Sequence, residues 1–151
     1  MAKFGYTLEV DEETMARAYG RELPIPWKKA VELARQLRGK KVEKALAYLD
    51  GVIALTQPVP FRRYKRWVAH KAGYGPARYP VKAARYFKKI IESAVSNAEY
   101  LGRADPEGMI IRRINAHKGA TTKGMTRRAH GMSTPWNQET VNLEVVLEEM
   151  E

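Results

Sequence analysis

The sequence predicts a protein of mixed helices and strands with antiparallel pairing, and two observations carry that prediction. Apolar residues recur at helical spacing through three internal segments, whereas near both ends of the chain apolar and polar residues alternate with the period of a strand. A third observation, charge placed in blocks, points to what such a fold would meet.

At the amino terminus Phe4, Tyr6, Leu8 and Val10 alternate with Gly5, Thr7 and Glu9, which reads as a half-buried strand. Asp11 ends it and can cap a short helix through Tyr19, closed by Gly20. Past Pro24 and Pro26, the set Trp27, Ala30, Val31, Ala34 and Leu37 follows helical spacing, with Gly39 as the stop. Val42, Ala45, Leu46, Leu49 and Ile53 form a second amphipathic helix, and Pro58 and Pro60 mark its exit. From Phe61 to Tyr79 there is no clean period: Gly73, Gly75 and Pro76 break it, so the stretch reads as an extended basic loop.

Pro80 is placed to open a long helix with Ala84, Phe87, Ile91, Ala94, Val95, Ala98 and Leu101 toward the core and Gly102 at its end. The first turns carry Lys82, Arg85, Lys88 and Lys89, the second half Glu92 and Glu99, so the amino-terminal half faces the partner. Asp105-Pro106-Glu107-Gly108 is a turn signal. A strand follows from Met109 to His117; near the carboxyl end Val141, Leu143, Val145 and Leu147 alternate with Asn142, Glu144, Val146 and Glu148. Pairing the two as a hairpin over 109–147 gives arms of about 19 residues, roughly 60 Å at the rise of a strand. Lys118 to Trp136 has almost no apolar alternation, so no core can hold it, and it must be ordered by something it touches. With 151 residues, 44% of them hydrophobic, the chain reads as one domain over 1–151, carrying a basic loop at 57–79 and the hairpin extension.

The net charge of +10 is not spread evenly. No Asp or Glu occurs in the 41 residues from Gly51 to Ile91 or the 31 from Gly108 to Gln138, and these tracts hold 16 of the 27 Lys and Arg. Solvated surfaces mix both signs, so single-sign blocks imply a polyanionic partner. Arg62, Arg63, Lys65, Arg66, Lys71 and Arg78 are interleaved with Phe61, Tyr64, Trp67, Tyr74 and Tyr79. Aromatic and guanidinium planes stack on unpaired bases while cations neutralise phosphates, which fits RNA. Anchoring of the loop on the core is the competing use of Trp67 and Tyr79.

Other chemistries are poorly supported. The chain has no Cys, and its three His, His70, His117 and His130, lack paired spacing, so neither a thiolate nor a His metal site is expected, and no cofactor. Each His lies in or beside a basic tract without an orienting carboxylate, so a phosphate or stacking contact is expected rather than general-base catalysis. No apolar run approaches the roughly 20 residues of a bilayer span. Met1 to Val10 lacks the basic lead and apolar core of a signal peptide, so no membrane partner and a place inside the cell are expected.

Four fragments carry a resemblance that covers Phe4 to Glu149: Ser93-Ala94-Val95-Ser96-Asn97-Ala98-Glu99, Gln57-Pro58-Val59-Pro60-Phe61, Ile114-Asn115-Ala116-His117-Lys118, and Arg127-Arg128-Ala129-His130-Gly131. Together with the order of elements, they resemble the universal large-subunit ribosomal protein numbered twenty-two in bacteria and archaea and seventeen in eukaryotes, in its archaeal and eukaryotic branch. The resemblance implies an α+β fold, a small three-stranded antiparallel sheet packed on helices with a long extended β-hairpin arm. It implies a cytoplasmic, non-enzymatic constituent of the large ribosomal subunit, bound to large-subunit rRNA and to neighbouring ribosomal proteins. The hairpin is expected to pass through rRNA so that its tip lines the polypeptide exit tunnel and meets the nascent polypeptide. By position that tip falls on Thr122, Lys123, Gly124, Met125, Thr126, Arg127, Arg128, Ala129, His130, Gly131 and Met132. Many family members have Arg where this chain has Met132. The rRNA-binding residues expected are the six loop cations, Lys82, Arg85, Lys88 and Lys89, and along the hairpin Arg112, Arg113, His117, Lys118, Lys123, Arg127, Arg128 and His130.

Two readings from other classes compete. A chromatin-like DNA-binding protein would use the hairpin as a groove-inserting arm and would be expected to dimerise, for which no long exposed apolar stripe is evident. An RNA-processing enzyme would need carboxylates in the basic tracts, which contain none.

Overall fold

The computed structural model describes residues 5–7, 14–102, 105–106 and 108–149. Strand β1 (Met15–Leu23) leads to helices α1 (Trp27–Leu37) and α2 (Val42–Ile53), then to short strands β2 (Val59–Pro60), β3 (His70–Lys71) and β4 (Gly75–Arg78). Helix α3 (Val81–Tyr100) follows. The hairpin runs out along β5 (Ile110–Thr122) and β6 (Met125–Arg127), turns through a 3-10 segment at Ala129–Gly131, and returns along β7 (Ser133–Pro135) and β8 (Gln138–Glu148). The result is α+β, with an antiparallel three-stranded sheet in the order β1-β8-β5. Helix α1 packs on β5, α3 on β1 and β8, and α2 on α3.

The central strand explains the order. In β8, Val141, Leu143, Val145 and Leu147 are fully buried in the core, as their alternation predicts. Each such side chain removed from water contributes roughly 1.5–3 kcal/mol. A strand this apolar is stable only with a ladder on both edges, and β1 supplies the second. This corrects the expected helix from Asp11 to Tyr19: from Met15 onward the chain is a strand. Its composition, rich in Ala, Arg and Glu, favours helix, but Ala16 and Ala18 point inward opposite Leu147 and Val145. Small residues are needed there because α3 lies close: a Cβ on Gly20 would come within 2.9 Å of the Ile90 side chain. Of the strand expected at Phe4 to Val10, residues 5–7 are described and are not in a strand; the rest lies outside the described residues.

The three helices sit where the spacing predicts. Gly39 and Gly102 take positive φ (77° and 75°) just past α1 and α3, as glycine stops do. Pro80 immediately precedes α3, one position earlier than expected, and accepts the Ala84 N–H at 2.9 Å. Leu101 is half exposed rather than in the core, because the helix has already ended at Tyr100. The stretch read as a loop is instead a second sheet in the order β2-β4-β3, whose strands of two to four residues are too short for a period to register.

The quoted fragments have structural work. Asn97 donates its amide to the Arg17 carbonyl at 2.8 Å, fixing α3 to β1, and Ala94 and Ala98 beside it are fully buried. Asn115 and His117 lie on the side of the sheet away from the core, around Glu144, which is 1% exposed. The Thr7 N–H donates to this carboxylate at 2.9 Å, the Thr7 hydroxyl also donates to it, and His117 Nε2 lies at 3.2 Å. Asn115 in turn donates to the Thr7 hydroxyl at 3.0 Å. Burial alone would raise the Glu144 pKa, but the Thr7 bonds and His117 outweigh it and hold the carboxyl below 4.5.

That direction sets a pH dependence. A carboxyl whose pKa is lower folded than unfolded stabilises above its unfolded value, and the stabilisation is lost as pH falls through the folded value. Stability measured by denaturant titration should therefore fall below about pH 4.5. Glu144→Gln should remove part of that acid-limb slope; an unchanged slope in the variant would place the linkage elsewhere.

Candidate nucleic-acid interface

The basic segment from Arg62 to Arg78 is held by one buried acid. Glu32 on α1 is 1% exposed, and its carboxylate accepts three consecutive backbone N–H groups: Arg62 at 3.2 Å, Arg63 at 2.7 Å and Tyr64 at 2.7 Å. Three donors to one carboxylate offset the cost of burying a charge. Phe61 and Tyr64 pack against the core, and the Phe61 N–H bonds the Pro76 carbonyl at 2.8 Å. Backbone and apolar side chains thus anchor the segment, while the side chains of Arg62, Arg63, Lys65, Arg66, Lys71 and Arg78 remain exposed.

Trp67 does not anchor it. The indole is 85% exposed, at a backbone φ of 60° that disfavours any residue with a Cβ. The Arg66 guanidinium lies 5.6 Å from its ring, and Arg78 holds the Trp67 carbonyl at 2.9 Å. A large aromatic kept in solvent on strained backbone is an arrangement stability alone does not favour. Tyr79 is half-buried, with Lys71 at 5.6 Å from its ring.

On α3, Lys82, Arg85 and Lys89 share one face and line a surface cleft with Val81 and Tyr86. Lys88 turns away, making a 2.7 Å ion pair with Asp50 on α2, and this pairing raises its pKa. Along the hairpin stem Arg112 pairs with Glu148 at 3.4 Å, His117 with Glu144, and Lys118 with Glu139 at 3.5 Å. Among the described residues no acid pairs with Arg113, Lys123, Arg127, Arg128 or His130. Of the eighteen expected rRNA-binding residues, four therefore pair with an acid and fourteen pair with no acid among the described residues.

No residue from Lys118 to Trp136 is buried. The arm is held by its backbone ladder: Thr122 pairs with Gln138, Met125 with Pro135, and Arg127 with Ser133. Gly119 and Gly124 permit the close approach, since a Cβ at either would lie 2.5 Å from the Thr140 hydroxyl or 2.8 Å from the Trp136 carbonyl oxygen. His130 (φ 57°) and Gly131 (φ 70°) make the reversal, and the Arg128 N–H bonds the Met132 carbonyl at 2.8 Å. Met125, Met132 and Trp136 stand more than half exposed around the tip.

Sequence reasoning placed Trp27 on the apolar face of a helix and passed over Arg38, and read neither as a site residue. Trp27 meets Tyr64 edge to face at 5.1 Å, and Arg38 donates to the Ile114 carbonyl at 3.1 Å and to Asn115 Oδ1 at 2.9 Å. Trp27 opens α1 and Arg38 follows its last residue, places that spacing assigns to core or solvent; only the fold brings them beside the basic segment.

Replacing Glu32 by Ala would leave buried N–H groups unsatisfied, at about 1–3 kcal/mol per group. For a chain of this size each kcal/mol lowers Tm by roughly 2–4 °C. The melting temperature of Glu32→Ala should fall accordingly, with limited proteolysis opening residues 61–79 first. A melting curve like the parent's would remove the tether from the account.

The family model described as ribosomal protein L22p/L17e matches residues 18–148. The protein named large ribosomal subunit protein uL22 from Methanocaldococcus jannaschii is 43% identical, over 99% of this chain and 97% of its own length. Its namesake from Methanothrix thermoacetophila is 45% identical and that from Methanococcus aeolicus 44%, each over 99% of both chains. Agreement of that extent, across the sheet, the helices and the hairpin alike, means that the chain belongs to the ribosomal protein L22p/L17e family.

Proposed function

We propose that this chain is built into the large ribosomal subunit in the cytoplasm, binds large-subunit rRNA, aids assembly, and lines the nascent polypeptide exit tunnel with its hairpin tip. As a member of a ribosomal protein family it is a structural component of the ribosome and not an enzyme, and its relatives named above are archaeal. The observation that carries the rRNA reading is the set of cations that pair with no acid among the described residues. They lie on the Glu32-tethered segment, on one face of α3, and along an arm that has no core. Phosphates supply the counter-charge those groups lack.

Residues 1–151 act in this reading as one ribosomal protein domain, with the segment 57–79 and the hairpin 109–147 as its RNA-facing parts. Neighbouring ribosomal proteins are further partners. Residues Thr122 to Met132, none of them buried, lie at the turn end of the hairpin, and there the nascent polypeptide would be met. The exposed thioethers of Met125 and Met132 suit a wall past which many different sequences slide.

With six to ten phosphate contacts, affinity for large-subunit rRNA should drop by about 10³ to 10⁵ between 50 and 200 mM salt. Filter binding across that range tests it, and salt-independent affinity would overturn the reading.

The two basic regions should separate in function. Charge reversal of Arg85 and Lys89 to Glu removes contacts from a rigid helix and adds repulsion, so subunit yield should fall. Deleting Gly124 to Arg127 leaves helix and stem to dock, so subunits should assemble but respond differently to an arrest peptide. Equal assembly defects in both variants, or unaltered arrest in the deletion, would refute the division.

A further inference from the structure

A cleft lies at the root of the hairpin, where Trp27, Val31 and Ala34 of α1, Arg38 just past its end, Arg63 and Tyr64 of the tethered segment, and residues 114–117 of β5 come together around about 380 Å³. That volume lies within the roughly 300–1,000 Å³ typical of small-ligand sites. Two kinds of group in its walls bear on a ligand. Trp27 and Tyr64 form an aromatic corner at 5.1 Å and 73°. Arg38 and Arg63 bring two guanidinium groups, neither paired with an acid among the described residues. No carboxylate lines the cleft. Glu32, bonded to the Arg63 and Tyr64 backbone, and Glu144, bonded to Thr7 and His117, are both already engaged.

From this combination we infer that the cleft is a binding site for a single unpaired nucleotide of rRNA, its base against Trp27 and Tyr64 and its phosphate on Arg38 and Arg63. The inference rests on the rRNA-binding reading above and adds a place and a ligand class to it. An aromatic wall alone would suit an apolar side chain, and guanidinium groups alone would suit any anion. Together they match a planar ring joined to a phosphate.

The site is preorganised. Glu32 fixes the backbone of residues 62–64 against α1, and one terminal nitrogen of Arg38 is held by the Ile114 carbonyl and Asn115 Oδ1, leaving the rest of its five-donor fork. Asn115 spends its amide on Thr7 and its oxygen on Arg38, so it has little left with which to read a base. The site should therefore select an unpaired nucleotide over a paired one but discriminate weakly among the four bases.

The test uses the full chain bound to transcribed large-subunit rRNA. Ultraviolet cross-links are mapped by mass spectrometry, and 2′-hydroxyl acylation is read with and without protein. Trp27 or Tyr64 should cross-link to one unpaired nucleotide whose acylation falls on binding. Arg63→Ala, a change at an exposed side chain that leaves the Glu32 bonds in place, should restore acylation there and weaken binding about tenfold. Trp27→Leu should weaken it by about ten- to a hundredfold, the scale of one stacked base. Changing the identity of that nucleotide should leave affinity unaltered. Salt-sensitive rRNA binding with no cross-link at either aromatic, with a cross-link to a paired nucleotide, or with Arg63→Ala lacking any local effect overturns the site while sparing the rRNA reading. Absence of rRNA binding altogether overturns both.

Discussion

A buried carboxylate organises the basic segment from Arg62 to Arg78. Glu32 satisfies three successive N–H groups of a segment that carries six Lys and Arg and no acid, and it does so from inside α1, where it costs the surface no positive charge. An exposed acid could tether the segment only by neutralising the groups that make it useful. A buried one binds the backbone and leaves the side chains outward. Tyr64 and Arg63, and with them one wall of the cleft at the hairpin root, are held against α1 by that attachment.

The hairpin is positioned by a different constraint. Strands β5 and β8 belong to the core sheet at one end and to the arm at the other, so the packing that fixes their register near Leu143 and Leu147 also aims the tip. A one-residue slip would turn Val141, Leu143, Val145 and Leu147 outward together. The small inward residues of β1 let α3 press on the same sheet, which stiffens the base from which the arm projects.

Charge placement runs against local stability in several places. Lys82 lies in the first turn of α3, where the helix dipole favours acids, and that turn contains none. The thirteen expected Lys and Arg that pair with no acid among the described residues leave like charge uncompensated in the free protein, and Trp67 is held out on strained backbone. Departures of this kind cluster where a partner supplies what the chain lacks. Where the fold itself needs a cation neutralised, an acid is present, as Asp50 is for Lys88 and Glu148 for Arg112.

The sequence by itself determined the three helices and the pairing of the two long strands, because apolar period is local information and each of these elements is long enough to repeat it. It also determined which stretches are basic, since charge needs no fold to be counted. Only the tertiary structure decided that residues 15–23 are a strand: helix-favouring Ala and Arg yielded to a central strand with an open edge. The β2-β4-β3 sheet was hidden because strands of two to four residues leave no period. The tether and the cleft were hidden for a further reason. Glu32 finds its donors 30 to 32 residues away, and Arg38 meets Asn115 across 77, separations at which a spacing pattern carries no signal and only the closed fold makes neighbours.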